Sequence, residues 1–188
     1  MRVDLLYPEE CAAIESALKG QFKVIWIIGL STGLRISDIL RLTPQDFKRD
    51  RFYIREQKTG KLRRVYVRKK VRKVVEDFAA TRSIDDSDYL FRASRQAVWC
   101  GFKRAAHRAE IDKNVGTHSM RKSYSLAHIR KGYDISDLQS RLNHSRLGDT
   151  IGYITSNEAL GIDSKGHKRR KTRKIQGVVR NEQGYNYR

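Results

Sequence analysis

Apolar residues crowd "FKVIWIIGLSTG" (Phe22 to Gly33) on nearly every side, the pattern of a buried helix that its last glycine should end. Before it, "YPEECAAIESAL" places Pro8 in a first helical turn with Glu9 and Glu10 behind it, where the helix dipole favours acids. "RISDILRL" resumes helical spacing through Ile36, Ile39 and Leu40, and "TPQD" stops it. The period then falls to two. "RFYIREQ" and "KLRRVYV" alternate, are rich in Phe, Tyr, Ile and Val, and flank "KTGK", which predicts a β-hairpin with Gly60 in the turn.

Helical spacing returns and persists. "KKVRKVVEDFAATR" sets Val71, Val74, Val75 and Phe78 on one face. After the loop "SIDDSD", "SRQAVWCGFKRAAHRA" predicts a helix capped by Ser94 with Val98, Phe102 and Ala105 inward. "HSMRKSYSLAHIRKG" is closed by Gly132, and "DISDLQSRLN" opens on Asp134 as its cap. Tyr124 and Tyr133 read as amphipathic core residues, and a short segment carries Tyr153. The expected fold is α+β, mainly α-helical, with helices around a small antiparallel β-sheet.

Composition adds a partner. In 188 residues, 40 Lys and Arg stand against 21 Asp and Glu, a formal charge of +19. Such an excess serves a polyanion (DNA, RNA or an anionic membrane) rather than a fold. A protein that merely neutralises phosphate is the simplest alternative. From Ser164 to Lys174, "SKGHKRRKTRK" holds seven Lys or Arg in eleven positions: Lys165, Lys168, Arg169, Arg170, Lys171, Arg173 and Lys174. This predicts a folded domain over residues 1–160 and a basic tail over 161–188, whose cations contact DNA phosphates. The longest apolar run, "VIWIIGL", has seven residues, against the roughly 20 that span a bilayer. No signal peptide is evident at the start, and Cys11 and Cys100 form no CxxC. Both features fit an intracellular, cytoplasmic protein associated with DNA, without a disulfide framework or thiolate zinc site.

Several chemistries find no residues. The chain has no GxxxxGK[ST] for a nucleotide, no HExxH and no Cys/His quartet for a metal. "DDSD" (Asp85 to Asp88) reads as a solvated loop rather than a magnesium site, so no cofactor is expected. Arg35 follows a glycine break and precedes a helix, with Asp38 three residues on to orient it. Lys58 sits at the hairpin tip, within reach of a ligand draped over the domain. His118 and Arg121 share a helix face, and His144 and Tyr153 follow. Taken singly, each has a plain reading as a surface or core residue.

Order and spacing change that. "STGLRISDILRLTPQDF", "EQKTGKLRRVYV" and "THSMRKSYSLAHIRKGYDISDLQSRLNHSRLGDTIGYI" resemble, in sequence order, the first box, the β-hairpin and the second box of the tyrosine recombinase (phage integrase) family. The likeness runs from about residue 8 to residue 156. It implies the catalytic fold shared with type IB topoisomerases. It also implies an active site of Arg35, Lys58, His118, Arg121, His144 and Tyr153. In that reading Arg35 and Arg121 clamp a phosphate, Tyr153 attacks it, and His118 is the base. His144 donates a hydrogen bond and Lys58 protonates the leaving oxygen.

The expected activity is site-specific strand exchange on double-stranded DNA (integration, excision or inversion) through a 3′-phosphotyrosyl intermediate. The resemblance further implies dimers to tetramers on DNA and accessory DNA-bending proteins. Topoisomerase-like relaxation would use the same six residues, and a DNA-binding regulator would keep the fold without cutting. Two positions depart from the family's habit: Asn143 replaces the glycine of Leu-Gly-His, and Lys122 follows Arg121 where histidine is common. Asn tolerates a left-handed backbone, so the turn should survive. Most members carry a separate N-terminal clamping domain, whereas this sequence opens almost on the catalytic region, as a single-domain member or a fragment.

Overall fold

The computed structural model describes residues 3–145 and Thr150. Helix α1 (Pro8–Ala17) begins with Pro8 at its first position, and the Glu10 carboxylate accepts the Tyr7 N–H at 2.7 Å. Helix α2 (Gly20–Thr32) ends at Gly33, which takes φ 62°, and a short α3 (Ile36–Ile39) follows. A 3₁₀ turn over Pro44–Phe47 leads into strands β1 (Arg51–Arg55) and β2 (Leu62–Tyr66). Four helices complete the described chain: α4 (Lys69–Thr81), α5 (Arg95–Arg108), α6 (Thr117–Arg130) and α7 (Ile135–Leu142). Helices around one two-stranded antiparallel sheet are the expected architecture.

Helix α2 is the axis of the core, touching α1, α3, α4, α5 and α6. Its Trp26 is fully buried, meets Phe102 of α5 edge to face at 4.8 Å, and donates its indole N–H to the Cys11 carbonyl at 3.2 Å. That contact satisfies the ring's one polar atom, as burial of a tryptophan requires. Val98, Phe102 and Ala105 are buried as their spacing predicts, and the Ser94 hydroxyl accepts the Ala97 N–H at 3.1 Å. Burial pushes the Cys11 thiol up to about 12, so it packs as a small apolar group; both cysteines are free.

The hairpin's faces alternate in burial, but polarity does not follow them. Phe52 pairs with Val65 and both face the core, where Phe52 lies 5.7 Å from Phe47. The same register turns Arg63 inward, 5% exposed, while Leu62 is 61% exposed. Charge on an inner face costs free energy unless it is met. Arg63 donates to the Thr32 carbonyl at 2.7 Å and lies 3.7 Å from Glu56, also buried. Tyr133 likewise differs from expectation. It is half exposed because it follows Gly132 beyond the end of α6, and it stacks on His128 at 4.4 Å; Tyr124 does pack against Leu138 and Leu142. At α7, Asp134 is the extended residue before the first turn, and its carboxylate takes the Ser136 hydroxyl at 2.8 Å.

Candidate active site

Arg35 stands where α2 has ended and α3 has not begun. Its backbone is extended (φ −73°, ψ 150°), so Arg35 lies outside the helical register and Asp38 does not fall beneath it. Asp38 is fully buried and accepts the Gln57 N–H at 2.9 Å. The carboxylate on Arg35 belongs instead to Glu56, 2.8 Å from Nη1, with side-chain exposures of 14% for Arg35 and 0% for Glu56. This corrects the expectation that Asp38 orients Arg35: Asp38 ties the hairpin to α3, and Glu56 holds the arginine.

Lys58 lies exposed in the turn between the strands. Gly60 has φ 66°, which a side chain would strain, and its carbonyl accepts Arg55 at 2.7 Å. The Thr59 hydroxyl donates to Glu56 at 2.8 Å, and Lys61 reaches the Ser145 hydroxyl at 2.7 Å. The turn is thus braced at its base by Glu56 and beside His144 by Lys61.

His118 and Arg121 sit in the first turns of α6. His118 is half-buried. Burial, then the positive charges of Arg121, Arg35, Arg95 and Lys58, hold its imidazole below the usual histidine range, so it is neutral at pH 7. Those cations come from α6, the start of α3, the start of α5 and the hairpin turn. Arg121 is 1% exposed and spans three elements. It donates to the Gly33 carbonyl and the Leu142 carbonyl, each at 2.6 Å, and its Nη2 lies 2.8 Å from His144 Nε2. A guanidinium has no lone pair to offer, so Nε2 accepts and, in the neutral ring, the proton is on Nδ1, 3.0 Å from the Thr150 hydroxyl. Asn143 ends α7 with φ 55° and ψ 38°, so asparagine does serve the left-handed turn that precedes His144. Lys122 points away from this cluster, to the Val3 carbonyl at 2.6 Å.

The electrostatics at His118 therefore link Arg35, Lys58, His118 and Arg121, and Arg121 adds His144. Tyr153 and the tail cations Lys165, Lys168, Arg169, Arg170, Lys171, Arg173 and Lys174 lie outside the described residues. Two residues escaped the sequence reading. Glu56 carried a signal: the inward period of Phe52 and Ile54 continues to it, an acid on the buried side of a basic strand. Arg95 carried one as well, a cation in the first turn of a helix, where the dipole disfavours it. Among the described residues, no three His, Cys, Asp or Glu side chains gather to hold a metal, and no helix is long and apolar enough to cross a membrane.

With this geometry in hand, comparison with known proteins gives consistent matches. The phage integrase family model matches residues 6–159. The chain is 30% identical over 142 residues to "Probable integrase/recombinase YoeC" of Bacillus subtilis, covering 71% of this chain and 77% of that protein. It is 30% identical over 149 residues to the integrase of Escherichia phage P2, covering 79% of this chain but 42% of the relative. The crystal structure of XerA recombinase superposes with a TM-score of 0.72 at 24% identity, covering 85% of this chain and 63% of XerA, a likeness of fold.

Proposed function

The chain belongs to the phage integrase family, and from that membership we propose that it is a tyrosine recombinase, cleaving and rejoining double-stranded DNA through a 3′-phosphotyrosyl bond. One observation carries the reading: a neutral histidine set among four cations, Arg121, Arg35, Arg95 and Lys58, drawn from separate elements. Cations that repel one another are gathered where an anion is to be bound. A phosphodiester supplies one negative charge at rest and spreads it over its nonbridging oxygens under attack.

The steps follow from the side chains. Arg35 and Arg121 present planar guanidiniums that stay charged at neutral pH and match phosphate oxygens. The Tyr153 hydroxyl, with an ordinary pKa near 10, needs a base to become a nucleophile. Neutral His118 accepts that proton as the phenolic oxygen bonds to phosphorus. The bond from phosphorus to the 5′ oxygen breaks, and Lys58 protonates the leaving oxygen. Because Arg121 already donates to its Nε2, His144 gives the phosphate a hydrogen bond only from Nδ1 or once protonated. The phosphotyrosyl bond conserves the energy of the broken phosphodiester, so a second 5′-hydroxyl reverses the step without a nucleotide.

The wider reading includes assembly on DNA as dimers to tetramers, accessory DNA-bending proteins, a cytoplasmic location and a tail whose seven cations lie along phosphates. The test of the central claim is covalent trapping. The protein and Tyr153→Phe are mixed with nicked suicide duplexes tiled from DNA flanking the gene, then quenched in detergent. A protease-sensitive adduct with the wild type alone, at DNA affinities within about twofold, is the expected result for a nucleophile that adds little to binding. An adduct from Tyr153→Phe would remove Tyr153 from the role. Tight binding without any adduct would favour a regulator that does not cut.

A further inference from the structure

We propose that Glu56 is a positioning residue that fixes the phosphate-clamping Arg35 and the Lys58 turn relative to each other; the inference rests on the recombinase reading for the roles of those two cations. The carboxylate is fully buried between two guanidiniums. Its Oε1 faces Arg63 at 3.7 Å, and Arg63 is fastened to the Thr32 carbonyl at 2.7 Å. Its Oε2 meets Arg35 at 2.8 Å and accepts the Thr59 hydroxyl at 2.8 Å. One oxygen therefore belongs to the fold and the other to the site.

The backbone of Glu56 repeats the arrangement. Its N–H donates to the Lys61 carbonyl at 3.0 Å and its carbonyl accepts the Gly60 N–H at 2.8 Å, closing the turn around Lys58. The next amide, of Gln57, donates to Asp38 on α3 at 2.9 Å. The base of the hairpin is thus tied to α3 twice, through Glu56 to Arg35 and through Gln57 to Asp38. An arginine at an extended junction has many rotamers, and a buried carboxylate at 2.8 Å selects among them. Nη1 faces the carboxylate, and the guanidinium keeps further N–H donors for a phosphate. Glu56 acts through Arg35 and the turn, without touching DNA itself.

Glu56→Gln keeps the length and an accepting oxygen but removes the charge that holds Arg35. At saturating nicked duplex, adduct formation is expected to slow by about 10- to 100-fold, the cost of a misplaced catalytic group, while the DNA Kd stays within about threefold. A residue that merely supports folding would not split the two readouts. In an Arg35→Ala background Glu56→Gln should add less than about threefold, because the residue it positions is gone. Glu56→Asp serves if the Gln variant does not fold: it keeps the charge but withdraws it by about 1.5 Å, and the same slowing is expected.

Arginine guanidinium NMR on the DNA-free protein reads the contact without any cleavage. A rotationally restricted Arg35 signal in the wild type, averaged in the folded Glu56 variant, is expected. A variant rate within about threefold of wild type, full multiplication with Arg35→Ala, or a freely rotating Arg35 in the wild type would each overturn the proposal. Should the wild type form no adduct, the recombinase reading falls, and the NMR signal alone decides whether Glu56 fixes Arg35.

Discussion

His118 shows how the site tunes a single residue. Burial comes first among the causes that lower its pKa, and the cations Arg121, Arg35, Arg95 and Lys58 add to it. A general base with a lowered pKa stays unprotonated further into acid. The acid limb of the pH profile for adduct formation should therefore fall below pH 6.5, the ordinary histidine value. Arg95→Ala removes one repelling charge and should move that limb upward, toward 6.5; an unmoved limb would detach Arg95 from the site. The same shift affects stability. The unfolded chain takes up a proton at His118 before the folded one does, so this contribution is complete above pH 6.5 and is lost as pH falls through the folded value. At this scale the sequence was an uneven guide. Motif order singled out Arg35, Lys58, His118, Arg121 and His144, which the fold brings together, and Asn143 was legible from its tolerance of a left-handed backbone. The partner of Arg35 was not, because the spacing to Asp38 counts as a helical turn only if Arg35 is itself helical. Its true partner is 21 residues away in sequence and is joined to it only by the fold.

Among the elements, α6 carries Arg121 to the end of α2, just before Arg35, and the approach of these two helices depends on a glycine. A Cβ on Gly29 would overlap the Met120 sulfur and stand 2.9 Å from its Cε and 3.0 Å from its Cβ, and Met120 is fully buried. Gly29→Ala should therefore cost about 1–3 kcal/mol, as overpacking does, read as a lower midpoint in chemical denaturation. Because Arg121 lies one residue beyond Met120 and donates to the Gly33 carbonyl at α2's end, the variant should also slow adduct formation. Unchanged stability would mean that the two helices can part without loss. The helices and strands themselves were readable because apolar period and turn residues agreed in most of them. The hairpin was readable as a hairpin but not in its inner face. Polarity alone makes Leu62 an inward residue and Arg63 an outward one, whereas the period of two through Val65 and Val67 turns Arg63 in and Leu62 out. The Thr32 carbonyl and Glu56, from outside β2, help make a buried Arg63 tolerable.

Across the whole molecule, the recombinase reading divides the formal charge of +19 between the proposed clamp and nonspecific attraction to DNA. The clamp cations gather around His118, whereas seven more fall in the eleven residues from Ser164 to Lys174. These two groups should respond differently to salt. Each cation seated on a duplex phosphate releases counterions and steepens the fall of log K with log salt by about 0.9. Lys171→Ala should flatten that slope by about 0.9 and weaken binding at low salt, with the cleavage rate at saturating DNA unchanged. Replacing all seven with glutamine should flatten it in proportion to the number that touch phosphate. Arg35→Ala should do the reverse: a loss of several orders of magnitude in cleavage, since its interaction strengthens as charge develops on the phosphate, with little change in slope. If the sevenfold variant kept the full salt slope, the basic segment would have no place on DNA, and the attraction would have to come from the exposed arginines of the hairpin and the helices.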